Sequence, residues 1–318
     1  MDQSTVCVVG SLSVDLVVTC ERLPRPGQTV IGKSYETSPG GKGTGQAVAA
    51  ARSGAPTSVI GRVGRDHHAR DLRALLQRER VDTVGIAESW SAPTGTASIA
   101  IDAKGERVTY LVPGANGQLD PGFIDEARNS LAGARVLLTQ LHTPMGAVRR
   151  AAERAKEGGA RVVLNVAPAQ TLPEDLKPLL DVVVLNLAEA RVLTNSPDAA
   201  SEEAVEQTLA GLGVPVAVLT KGPGGITVLS GTDRWHVPSH PVETIDTAGA
   251  GDVFIGALGA RWAELTPAGR RRPWSRCATR SCTRAAAGSL ATTRQARSPP
   301  RPRATRSSRC WPVRRADR

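Results

Sequence analysis

No stretch of this chain approaches 18 consecutive apolar residues, and Met1 leads into a strand-like pattern with no basic leader and no small-residue cleavage site. A membrane-spanning or exported protein is therefore not expected, and the chain reads as soluble and cytoplasmic. It holds only five cysteines, none in C-x-x-C spacing: Cys7 and Cys20 sit in an apparent strand and its exit, while Cys277, Cys282 and Cys310 lie near the far end. Neither a disulfide framework nor a zinc site is supported. A Walker A sequence is also missing, because Gly41-Lys42-Gly43 lacks the Ser or Thr that would sit on magnesium. That argues against a P-loop nucleotide hydrolase.

What is present is enough for one large or two modest globular domains: 318 residues, 40% hydrophobic, with 32 glycines and only 3% aromatic residues. The formal net charge of +10 would point to nucleic acid or a membrane surface if it were spread over the chain. It is not. Residues 1–260 carry 24 Lys+Arg against 28 Asp+Glu, whereas residues 261–318 carry 16 Arg, no Lys and two acids, Glu264 and Asp317. All of the basicity belongs to the last stretch.

Short apolar runs alternate with helical patterns. VCVVGSLSVDLVV reads as a buried strand that crosses a glycine and continues extended, with a turn at 23–27. A glycine-rich turn and an Ala-rich helix follow, stopped by Gly54, and then the strand TSVIGRVG. Residues 94–113 look like a β-hairpin. From Ala134 onward RVLLTQL, ARVVLNVAP, DVVVLNL, VAVLTKG and GITVLS are separated by helices, which implies a parallel sheet covered on both faces. The hairpin-rich segments, about 11–35 and 94–113, do not fit that sheet and predict a small β-lid. His67 and His68 read as solvated in a turn before a helix, and Arg149, Arg150 and Arg154 as one solvated helix face.

The strongest chemical signal is Asp246-Thr247-Ala248-Gly249-Ala250-Gly251-Asp252 at the start of a helix. Glycines let backbone N–H groups converge on an anion, the helix N-terminus adds positive potential, and an aspartate at the same mouth can take a proton from an alcohol. A plain Gly-rich turn with a solvated cap is the bland alternative. Asn186 with Glu189 can likewise be a helix cap with an exposed acid, Lys42 a solvated turn residue and Asp15 a strand-edge carboxylate.

Gly40-Gly41-Lys42-Gly43, Gly61-Arg62-Val63-Gly64-Arg65-Asp66, Pro113-Gly114-Ala115-Asn116, Asn186-Leu187-Ala188-Glu189 and the Asp246–Asp252 motif occur in this order. Over roughly residues 5–262 the chain thereby resembles the ribokinase-like (PfkB) sugar kinases. The resemblance implies a three-layer α/β/α fold with a mostly parallel sheet and a small β-lid that also serves as a homodimer interface. It implies phosphoryl transfer from ATP to a sugar hydroxyl, the 5-hydroxyl in ribose, with Mg2+ required and K+ as activator. Asp252 matches the catalytic base, and Gly249, Ala250 and Gly251 the anion hole. Asn186, Thr220, Gly222 and Gly225 match nucleotide-binding positions. Glu189 matches an acid that organises magnesium-bound water, and Asp246 part of the potassium site. Gly41, Lys42 and Asp15 match sugar-site positions.

Three further sugar-site positions depart from the family pattern: Ser13 and Gly45 each stand where an Asn is usual, and His142 where a Glu is usual. Losing two amides and a carboxylate removes groups that pair sugar hydroxyls, which leaves another sugar or a nucleoside as competing acceptor. A non-catalytic sugar-binding pseudokinase is the reading from a different class. The kinase domain is expected to span 1–262. In the Arg-rich tail, 263–318, only 288–295 keep the family text, and one-base slips scrambling about 266–287 and everything after 295 account for the rest. A nucleic-acid-binding arm is disfavoured by the absence of lysine there and of an ordered pattern.

Overall fold

A computed structural model describes residues 5–239 and 249–265, together with a two-residue strand at 314–315. Alternation along the central strands decides the layering. In β1 (Val6–Val9), Val6 and Val8 enter one core while Cys7 and Val9 enter another, all four fully buried. Side chains of successive strand residues point to opposite faces, so a strand apolar at every position needs cover on both.

That cover comes from two sets of helices. On one face lie α1 (Lys42–Arg52), α2 (His67–Arg78) and α8 (Ala250–Leu265), with Ala47, Leu72, Leu258 and Trp262 in one cluster. On the other lie α3 (Pro121–Glu126), α4 (Arg128–Leu131), α5 (Met145–Glu157), α6 (Leu187–Thr194) and α7 (Glu202–Ala210). The result is an α/β/α sandwich. Among the described residues, no helix is long and apolar enough to cross a membrane.

The central sheet runs through β1, β4 (Thr57–Gly64), β5 (Val81–Asp82), β9 (Val136–Gln140), β10 (Arg161–Asn165), β11 (Val182–Asn186) and β12 (Val216–Thr220), all parallel, with β6 (Ile86–Ser89) parallel to β4. Its other edge turns antiparallel through β13 (Ile226–Ser230), β14 (Asp233–Val237) and β15 (Arg314–Arg315). The sequence pattern did not expose β14, whose half-buried DRWHV lacks a dense apolar run.

The lid is a separate four-stranded sheet in the order β3 (Gly32–Gly40), β2 (Ser13–Cys20), β7 (Gly95–Ile101), β8 (Arg107–Val112). β3 continues past the expected limit of residue 35 to Gly40, so the lid feeds directly into α1. Two polar residues, Asn116 buried and Asp66 half-buried, tether its root. Asn116 accepts from the Leu12 N–H at 2.8 Å and donates to the Leu12 carbonyl at 2.7 Å, bracketing the chain where it leaves β1 for β2. Asp66 caps α2 through the Ala69 N–H and also accepts from the Thr94 N–H and hydroxyl, just before β7.

Two smaller expectations are corrected. His67 and His68 open α2 itself, because Asp66 supplies the cap one residue earlier. Arg150 and Arg154 are not simply solvated: both clamp Asp125, at 2.9 and 2.6 Å, and tie α5 to α3.

Candidate active site

The C-terminal ends of β9 to β12 and the N-terminus of α8 meet beneath the root of the lid. This edge is where open parallel sheets place their ligands, because the loops there diverge and helix N-termini point inward. Gly41 caps α1 with φ +89, a conformation open to glycine; a Cβ there would also stand 2.6 Å from the Ser11 carbonyl. That turn aims Lys42 at the first turn of α8, placing its Nζ 3.9 Å from Asp252 Oδ1. Gly45, one turn further along α1, faces Asp252 directly: a Cβ there would lie 3.1 Å from the Asp252 Cβ.

Asp252 is 15% exposed, and burial pushes its pKa up, opposed by the Lys42 charge and the Gln46 hydrogen bond. Gln46 Nε2 donates to Oδ1 at 3.0 Å. No described residue hydrogen-bonds Oδ2. Asp15, in β2, packs its carboxylate over Gly40, which leaves no room for a side chain there. Its pKa is raised by burial and then by the negative charge of Asp252. Ser13 is buried at the start of the same strand, against Gly41. His142, in the turn after β9, is pulled down to about 4 by burial and by the nearby Lys42 charge, so it is neutral at physiological pH.

A second group lines the same sheet edge. Asn186 ends β11 and caps α6, accepting from the Glu189 N–H at 2.8 Å while Glu189 Oε2 accepts from the Asn186 N–H at 2.8 Å. This capping box uses one carboxylate oxygen of Glu189. Burial raises the Glu189 pKa, opposed by the Asn186 N–H and Lys42 and reinforced by Asp252. Thr220 is the strand partner of Asn186, and its hydroxyl donates to the Leu185 carbonyl. Gly222 and Gly225 form the turn after β12, and Gly225 lies hard against the Val237 carbonyl, where no side chain fits.

Gly249, Ala250 and Gly251 are exposed at the mouth of α8, where the Val253 N–H donates to the Gly249 carbonyl at 3.0 Å. Among the described residues no acceptor meets the amides ahead of Val253, as the first turn of a helix leaves its N–H groups without intrahelical partners. Asp246, expected at a potassium site, lies outside the described residues.

Three site-forming residues escaped the sequence reading: Gln46, Gln140 and Asn165, all buried. Gln140 and Asn165 each end an apolar parallel strand with a polar residue, and that was the available signal. Among the described residues, no three His, Cys, Asp or Glu side chains group to hold a metal. A magnesium ion fits such a site when it keeps its waters and takes one or two carboxylates together with substrate phosphates. Glu189 has a spare oxygen for that purpose.

The pfkB family carbohydrate kinase model matches residues 3–303. A ribokinase from Haemophilus influenzae is 34% identical over 258 residues, covering 80% of this chain and 84% of that protein. A bifunctional ribokinase/ribose-5-phosphate isomerase A from Fructilactobacillus sanfranciscensis is 34% identical over 259 residues, and there the match spans 80% of this chain and 48% of the longer protein. The solved structure of an Arabidopsis thaliana ribokinase complexed with ribose and ATP superposes with a TM-score of 0.77 at 27% identity, covering 89% of this chain and 92% of that one.

Proposed function

The chain belongs to the pfkB family of carbohydrate kinases, and from that premise we propose that it phosphorylates D-ribose at the 5-hydroxyl with ATP. The observation that carries the reading is Asp252: a half-buried carboxylate with one oxygen held and the other without a hydrogen bond from any described residue, in the first turn of a helix whose leading residues are exposed. The sugar hydroxyl oxygen attacks the γ-phosphorus, the bond to the ADP oxygen breaks, and the hydroxyl proton passes to Asp252 Oδ2. The amides of Gly249, Ala250 and Gly251 take up the charge on the transferring phosphoryl group. Such preorganised donors supply much of the catalysis in phosphoryl transfer, where the enzyme positions and neutralises.

In this reading Asp15 and Ser13 grip sugar hydroxyls, with Gly41 and Gly45 giving the sugar room. Lys42 offers a positive charge, and neutral His142 a donor or acceptor. Asn186, Thr220, Gly222 and Gly225 hold the nucleotide. Glu189 would hold Mg2+ through water, an ion that neutralises the phosphate oxygens when bound. K+ activation through Asp246 is proposed on the family resemblance.

The relatives named as ribokinases favour ribose over the other sugars, nucleosides and the pseudokinase that Ser13, Gly45 and His142 left open. The test is an ADP-release assay with ATP, Mg2+ and a panel of sugars and nucleosides. Ribose is expected to lead in kcat/KM; another acceptor tenfold better overturns the substrate, and sugar binding without turnover overturns the kinase. Rates in K+ against Na+ check the monovalent-cation site, with equal rates counting against it.

Two finer readings join this one. A homodimer through the lid is supported by Tyr35, Tyr110 and Val112, all exposed on its strands. Light scattering at a monomer mass that Tyr110→Glu leaves unchanged would overturn it. A tail disrupted by one-base slips is proposed on the break in the family text after Trp262, which resumes only at 288–295. Resequencing the DNA for 255–318, with the intact mass, decides that point: an unaltered reading frame sinks it.

A further inference from the structure

We propose that Gln46 is a positioning residue for Asp252, held in its donating orientation by Gln140 and Asn165, so that Oδ1 is occupied and Oδ2 is the oxygen presented to substrate. The proposal rests on the reading of Asp252 as the proton acceptor. Its evidence is a row of buried carboxamides that runs from the core to the reacting carboxylate.

Gln140 Nε2 donates to Gln46 Oε1 at 2.7 Å. With Oε1 so engaged, Gln46 can present only its amide hydrogens to the other side. They go to Asp252 Oδ1 at 3.0 Å and to Asn165 Oδ1 at 3.4 Å. Asn165 is oriented in turn, because its Nδ2 donates to the Val184 carbonyl at 3.2 Å. Rotating the Gln46 amide by half a turn would set oxygen against the Asp252 carboxylate and nitrogen against the Gln140 donor, losing three favourable contacts at once. Among the described residues Gln140 Oε1 meets no donor, and it sits where a Cβ on Gly10 would be. A buried acceptor left unpaired costs free energy, and the chain tolerates it in the residue that fixes Gln46.

The arrangement explains why one oxygen of Asp252 differs from the other. Oδ1 receives Gln46 and is the oxygen nearest Lys42, at 3.9 Å. The charged group that acts on this carboxylate is Lys42 from α1, with His142 beside Lys42, and Asp252 in turn acts on Asp15 in the lid and Glu189 in α6. The Asp252 charge raises both of those acids, while burial raises Asp252 itself. Gln46 is the uncharged donor that favours the ionised form of Asp252 while bonding Oδ1 and not Oδ2.

The test uses the full chain with Gln46→Met, which keeps length and volume, and Gln46→Glu, which keeps shape but replaces the donor. Both are expected to lose about 10-fold or more in kcat, with KM for sugar and ATP within about threefold, and with the loss deepest at low pH. An independent readout needs no turnover: 13C NMR titration of aspartate-labelled protein, with the Asp252 carboxyl signal identified by its loss in Asp252→Asn. Its midpoint is expected to rise by about one pH unit in Gln46→Met and further in Gln46→Glu. An unmoved midpoint overturns the positioning role, as does a loss confined to KM. If the midpoint moves but Asp252→Asn turns over normally, the base assignment fails instead. Gln140→Met should reproduce the effect more weakly, since it releases the Gln46 amide without removing it.

Discussion

Two aspartates, Asp181 buried and Asp252 half-buried, stand at opposite ends of the parallel strands, and the difference between them separates the part of the molecule that holds it together from the part that reacts. Asp181 precedes β11 at the N-terminal edge. Its side chain is 4% exposed and is met by Lys156 at 2.6 Å, Arg161 at 2.9 Å and the Val162 N–H at 2.8 Å, which occupy both oxygens. Asp252, at the other edge, has among the described residues one lysine at 3.9 Å and one amide donor, both on one oxygen. A buried charge surrounded by partners is a structural clamp. One that is under-neutralised has a raised pKa and a free lone pair, the combination found where protons are moved.

The sharpest way to break the comparison is to neutralise each in turn. Asp252→Asn is expected to lower kcat by at least about 10²-fold with sugar binding and melting temperature nearly unchanged. Steady-state kinetics with calorimetric ribose binding checks this, and retained turnover would remove Asp252 from the mechanism. Asp181→Ala is expected to do the reverse. It removes the acceptor shared by Lys156, Arg161 and the Val162 N–H and should destabilise the fold by about 2–3 kcal/mol, reduced from the fully buried case because Lys156 and Arg161 are partly solvated. Turnover per folded molecule should stay at the parent value. Urea unfolding beside kinetics measures both, and an unaffected midpoint would refute the clamp.

A third experiment uses pH. His142 binds its proton near 4 in the folded protein and near 6.5 when unfolded, so between those values the unfolded chain holds more protons and stability falls as the pH falls. Asp15, Glu189 and Asp252, all raised, act with the opposite sign, so the informative quantity is the difference between parent and variant. His142→Gln should lose less stability than the parent between pH 7 and pH 5, by about 1–2 kcal/mol. Parallel losses in the two proteins would show that the histidine is not neutral inside.

The smallest expected effect is at Gly45. Gly45→Ala brings a methyl to 3.1 Å from the Asp252 Cβ and should shift the carboxylate by a few tenths of an ångström. A fall in kcat of about three- to tenfold is expected, with stability within about 1 kcal/mol because alanine favours the helix. A variant as fast as the parent would show that Asp252 tolerates displacement.

The amino-acid sequence by itself determined the alternation of strands and helices, because period-2 and period-3.6 patterns are local properties of short windows. It also marked the lid, Gly41, Lys42 and the Gly249–Asp252 turn, where local backbone demands and chemistry fall on adjacent residues. Only the tertiary structure decided that Gln46, Gln140 and Asn165 form one row ending at Asp252. Their sequence separations of 94, 119 and 206 residues leave no periodic trace. It likewise decided that Asp181 is clamped while Asp252 is not. The identity of an aspartate is written in the chain, but its partners, its desolvation and hence its reactivity depend on groups that meet only when distant strands and helices pack.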